Sequence, residues 1–310
     1  MTIFLSILWN NIIPLSVMIA IGITLHRVFS LDIKTLSKLN FYLFSPAIIF
    51  RLLYTTEITL SSAMSVLLFF VVFMGLMYGC VETVIRLRGI RGGRRGAMRN
   101  SVLFYNSANY GIPLNELVFA SNPFTLSVQV LIMMLQALLP NTYGIYSVNA
   151  HRISGKEIVR TILKQPVIYV IPLGFLMRGF HVPIPHALNV PLDYAANAFI
   201  GTALVTLGVQ LGSMTVSFRS FLWKDVLMSC GLRLLMGPLL AFGVVQLLQL
   251  DGLMAQALIV SSSVPTSLSS VLLAVEFDNE REFASQAVLT STLLSIVTVT
   301  LVIFVLNVNP

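Results

Sequence analysis

Two polar runs inside apolar sequence hold the residues whose types and spacing could do chemistry. The first is Asn106-Ser107-Ala108-Asn109-Tyr110-Gly111-Ile112-Pro113, in an apolar stretch over about 97–120; the second is Ser261-Ser262-Ser263-Val264-Pro265-Thr266-Ser267, in a stretch over about 251–276. Glycine and proline interrupt a helix, and hydrocarbon offers no replacement hydrogen-bond partners. Irregular backbone at membrane depth therefore occurs only where protein or a wet cavity surrounds it. Proline fits the first turn of a helix, where its missing N–H is no loss. The spacing predicts that Pro113 and Pro265 each open a second half-helix. Ile112 and Val264 cannot cap with a side chain, which leaves the amides of Leu114, Asn115, Thr266 and Ser267 unused. Each helix N-terminus carries roughly half a positive charge. Two of them meeting from opposite sides would hold a carboxylate.

The candidate binding residues are then Asn106, Asn109, Tyr110, Gly111, Pro113, Leu114 and Asn115 in the first run, and Ser261, Ser263, Pro265, Thr266 and Ser267 in the second. The carbonyls that end the preceding halves, near Phe104–Ala108 and Ile259–Ser263, could take a cation or a substrate N–H. Packing or a simple kink is the competing role for the prolines, and bridging between helices for the asparagines. Two ionisable residues join the set. Arg233, about eleven residues into its segment, could meet a substrate carboxylate or a protein acid, or snorkel to the surface. Glu116, just past the first break, is the acidic candidate for proton coupling, or else reaches the outer surface. Gln136, Asn141, Tyr143 and Gln210 line a cavity or bond between helices.

The surrounding composition dictates what positions these residues. The chain of 310 residues is 56% hydrophobic and 10% charged, against roughly 25% charged residues in a soluble domain. Its apolar blocks approach the ~20 residues that span a bilayer. The sequence thus predicts an all-α polytopic membrane protein with ten transmembrane helices, over 3–26, 38–55, 60–85, 97–120, 123–148, 158–178, 192–214, 222–247, 251–276 and 281–306. Sixteen of the 19 lysines and arginines fall in alternate connections. The positive-inside rule then places those connections in the cytoplasm and both termini outside it, in the plasma membrane. This scatter over short loops excludes nucleic acid as partner for the +7 charge and leaves membrane lipid. No H-E-x-x-H, G-x-S-x-G or Cys/His cluster appears, so the reading is of a non-enzyme with no metal and no cofactor.

At an offset of 152 residues Pro14 aligns with Pro166, Gly22 with Gly174, and Pro113 with Pro265. Both breaks fall in the fourth helix of a five-helix half. Five is odd, so the halves, 1–150 and 151–310, would be inverted repeats with broken crossing helices 4 and 9.

Residues along the whole chain resemble the auxin efflux carrier family in its prokaryotic form: Pro46-Ala47-Ile48-Ile49-Phe50, Asn106 to Pro113, Leu207-Gly208-Val209-Gln210-Leu211, Arg233 with Gly237-Pro238, and Pro265 with Asp278, Ala284-Ser285 and Ser291-Thr292-Leu293-Leu294. Ala108 stands where the family pattern has a glycine. The resemblance implies a scaffold half and a transport half moving in an elevator-like way, often as a homodimer, with Asn106, Asn109, Pro113 and Pro265 framing an auxin- or malonate-like carboxylate. The expectation is a secondary transporter of a small organic anion by alternating access. The alternative is a sodium- or proton-coupled carrier of a bile-acid-like or amino-acid substrate on a related ten-helix fold.

Overall fold

The structure, a computed structural model, describes residues 2–55, 59–144, 147, 160, 163–164, 166–214 and 220–308. It is all-α: α1 Ile3–Phe29, α2 Ile33–Thr55, α3 Leu60–Leu87, α4 Gly93–Leu103, α5 Gly111–Val118, α6 Pro123–Gly144, α7 Val167–Gly179, α8 His186–Gly212, α9 Leu222–Leu247, α10 Gly252–Ser262, α11 Ser269–Glu276 and α12 Arg281–Val305. Among the described residues seven of these are long and apolar enough to cross a membrane: α1, α2, α3, α6, α8, α9 and α12. The stretches expected as the fourth, sixth and ninth crossings hold shorter helices: α4 and α5 in the fourth, α7 in the sixth, which begins outside the described residues, and α10 and α11 in the ninth.

Capping explains where two of the helices start, one of them earlier than expected. Asp32 accepts the amides of Lys34 and Thr35, at 3.2 and 3.1 Å, and starts α2 at Ile33 rather than near 38. Those bonds and the Thr35 hydroxyl hold its carboxyl below the ordinary range. Asn122 caps α6 in the same way, at 3.0 Å to Phe124 N.

The helices pack in two groups. In one, α8 lies along α1, and α2 packs on α7 and α8. In the other, α3, α4, α5 and α6 pack with α9, α10, α11 and α12. The groups meet where α1 and α2 touch α5, α6 and α12.

One end of the second group is knit by ions. Glu82 of α3, 8% exposed, accepts Arg86 at 3.1 Å, Arg99 at 3.0 and 2.5 Å, and Arg95. Asp225 of α9 holds Arg88 and Arg94, both at 3.4 Å, and Arg94 also reaches Glu280 at 3.3 Å. Arginines that read in sequence as a topology anchor therefore tie α3 and α4 to α9 and to the start of α12. Glu82→Gln should lower the thermal midpoint in detergent, since breaking a buried ion pair on one side costs about 3 kcal/mol. An unchanged midpoint would mean the arginines are held by water instead.

Candidate functional site

The two irregular segments meet. Tyr105 and Thr266 form an isolated antiparallel bridge. Asn106 N donates to Pro265 O and Ser267 N to Phe104 O, both at 2.8 Å. Backbone groups that have left one helix thus find partners in the other, as burial away from water requires. Side chains secure the rest. Gln129 Nε2 donates to Ser107 O at 2.7 Å, Gln136 Nε2 to Leu103 O at 3.2 Å, and Thr266 Oγ1 to Ser101 O at 2.8 Å. Glycine at 111 leaves that glutamine its place: a Cβ there would sit 2.5 Å from Gln129 Nε2, which would have to shift.

This geometry corrects the expected donors. α5 begins at Gly111, two residues before Pro113, and Leu114 N donates to Tyr110 O at 3.0 Å. Pro265 lies in the bridge, where only its carbonyl is used, and α11 starts four residues later. Thr266 N donates to Ser291 Oγ at 3.1 Å, and Ser267 N is taken by the bridge. The amides of Ala108 and Leu268 instead have no acceptor among the described residues, and both residues line a cavity.

That cavity, about 450 Å³, lies where the two helix groups meet. The crossover supplies Asn106, Ala108, Asn109, Ser267 and Ser269 to one wall, and α6 adds Gln136. α2 supplies Lys38 and Asn40 to the other, and α8 supplies Thr206 and Gln210. Asn106 Oδ1 accepts Asn109 N at 3.2 Å and shapes the turn. The half-buried Asn109 carboxamide has no protein partner among the described residues. Asn40 is fixed by Thr206 Oγ1 and Thr202 Oγ1, each at 2.7 Å, and Gln210 reaches Ser37 Oγ at 3.3 Å. Among the described residues the lining includes one charged side chain, Lys38, and no carboxylate.

The other candidates lie away from this space. The Tyr110 hydroxyl accepts from Ser295 Oγ at 3.1 Å. Asn115 accepts from Thr125 at 3.0 Å. Ser261 and Ser263 are buried at the end of α10, the latter bonded to Val260 O at 2.6 Å. Glu116 is half-buried near the end of α5, 3.5 Å from the Ser121 hydroxyl. Arg233 is fully buried beside the crossover. The Asn141 side chain lies outside the described residues.

Sequence reasoning passed over Lys38, Asn40 and Thr206. Asp32 was the available signal for Lys38, since a cap at that position places Lys38 inside α2.

A profile of the family described as membrane transport protein matches residues 7–303. The chain is 23% identical over 273 residues to an uncharacterized transporter of Methanothermobacter thermautotrophicus, covering 87% of this chain and 88% of that protein. It is 22% identical over 149 residues to an uncharacterized transporter of Methanocaldococcus jannaschii, about half of each (47%).

Proposed function

The chain belongs to the membrane transport protein family, that of the auxin efflux carriers, and from that membership we propose that it is a secondary carrier of a small organic anion, bound in the crossover cavity and moved by alternating access. The observation that carries this reading is the cavity's chemistry. Among the described residues, unpaired donors at Asn109, Ala108 and Leu268 line the cavity with one lysine, and no carboxylate opposes them. A volume of about 450 Å³ suits a small carboxylate.

Several features support the finer mechanism. α4 and α10 have 11 residues each, and α5 and α11 have eight. Two matched broken helices fit the inverted-repeat plan, with halves 1–150 and 151–310. The division into α1, α2, α7 and α8 against the rest fits a scaffold and a moving unit, with the site on their boundary. Lys38, Pro140 and Gln210 lie toward the ends of their helices that adjoin arginine- and lysine-rich connections. Under the positive-inside rule this is a cytoplasm-facing cavity in the plasma membrane, with both termini outside.

Counterflow in proteoliposomes tests the reading, using labelled malonate and competitors that include mono- and dicarboxylates and an indole acid. Exchange that one of these carboxylates saturates supports it. Uptake only of a bile-acid-like or amino-acid solute, strictly dependent on sodium or a proton gradient, would replace it. Lys38 stands at the exposed mouth. Lys38→Gln should therefore raise KM for dicarboxylates about three- to fivefold, leave monocarboxylates nearly unchanged, and show a weaker salt dependence than wild type. Equal effects on both substrate classes would remove Lys38 from the site.

A further inference from the structure

Arg233 is fully buried, and among the described residues no carboxylate approaches it. What it meets instead is backbone. Nη1 donates to Val102 O at 3.2 Å, one residue from the end of α4, and Nη2 donates to Ser262 O, the last residue of α10. The last carbonyls of a helix lack partners within it and carry about half a negative charge. Two such ends facing one guanidinium sum to roughly one charge of opposite sign. The ring of Tyr105 lies 4.6 Å from the guanidinium carbon and that of Phe73 5.9 Å, adding the face of two aromatic quadrupoles.

The backbone is shaped to receive this side chain. Arg233 sits in a π-helical turn, Leu232–Met236, inside α9, a distortion that re-aims a side chain. Gly237 follows. A Cβ there would lie 2.6 Å from Nη2 and 2.9 Å from Ser262 O, so only glycine leaves the guanidinium room between α9 and α10.

In carriers with broken helices, half-helix C-termini and unwound carbonyls are where a coupling cation binds. We propose that Arg233 is a tethered cation filling that place: it neutralises the C-termini of α4 and α10 together, so no alkali ion binds at the crossover. Arg233 is on this account a positioning residue. It fixes the geometry from which Asn106 and Asn109 are presented, without touching substrate. Its consequence for transport, that no cation is carried through this site, rests on the carrier reading above. The site claim itself does not.

The test therefore has two readouts, thermal midpoint of the purified protein and exchange in proteoliposomes, each in sodium, potassium, lithium and choline salts. Wild type should be indifferent to the cation in both. Arg233→Ala should lower the midpoint and cut exchange on the order of a hundredfold, the loss of two charge-assisted hydrogen bonds. Millimolar guanidinium should restore part of both, while urea at equal concentration should not. Arg233→Lys should be intermediate, because one ammonium cannot span both carbonyls as a planar fork does. If Arg233→Ala fails to fold, Arg233→Lys and Gly237→Ala take its place, the latter expected to displace the guanidinium and lower exchange. Sodium stabilisation of wild type, sodium-dependent exchange, or a folded Arg233→Ala that guanidinium does not rescue would overturn the proposal. Absence of any carboxylate exchange in wild type would instead remove the carrier reading, and the midpoint series would still judge the cation site.

Discussion

Asn109→Ala is expected to cut carboxylate exchange on the order of a hundredfold with no loss of folded protein. Two charge-assisted hydrogen bonds from a carboxamide wall would account for that factor. The Asn109 side chain borders the cavity and has no protein partner among the described residues, so its removal breaks no contact that holds the fold. Its amide, which does hold the turn, is kept by alanine. Asn106→Ala is the informative contrast. Asn106 Oδ1 accepts that amide, so this variant should lose both exchange and thermal stability. Asn109→Asp separates charge from shape: a carboxylate there should repel the substrate and abolish exchange in a protein that still folds. Folded Asn109→Ala with full exchange would remove the crossover cavity as the anion site.

The two irregular segments were legible because hydrocarbon makes a polar, proline-containing run conspicuous. Asn106 to Pro113 and Ser261 to Ser267 could be located from composition alone. What they do with their backbone was not legible. Proline at the first position of a helix is a local preference, set by its φ and its missing N–H. Here the pairing of Tyr105 with Thr266 overrides it at Pro265 and consumes the amides of Thr266 and Ser267. Arg233 was visible as a buried charge, but its partners are carbonyls of Val102 and Ser262. Carbonyls have no letter in a sequence. The partners of Glu82 and Asp225 lie up to 137 residues away in the chain, beyond any local pattern. The expected start of α2 near 38 lies late because hydropathy marks where a helix enters lipid, whereas Asp32 marks where it begins.

Gly208→Ala should lower the thermal midpoint by several degrees and disturb the cavity from its α2 and α8 wall. In lipid no hydrophobic drive holds two helices together, so α1 and α8 depend on close backbone approach and dispersion. Gly22 and Gly208 provide it. A Cβ on Gly208 would lie 2.1 Å from Ile19 O and 2.8 Å from Gly22 Cα, and one on Gly22 would lie 2.3 Å from Val205 O. These obstacles are backbone atoms, which cannot turn aside as a side chain tip can. The helices must separate, at a cost of about 1–3 kcal/mol or more for one added methyl. The separation reaches the site because α8 also carries Thr206 and Gln210, and Asn40 is held to α8 through Thr202 and Thr206. Gly201→Ala is the control on the same helix, where the added Cβ would meet only Met18 Cε at 3.9 Å. It should leave midpoint and exchange unchanged. Equal losses from the two substitutions would mean that helix propensity or expression, rather than the approach at Gly22, governs the pair. A loss confined to Gly208→Ala, with KM raised as well as the midpoint lowered, would tie the packing of α1 on α8 to the geometry of the cavity.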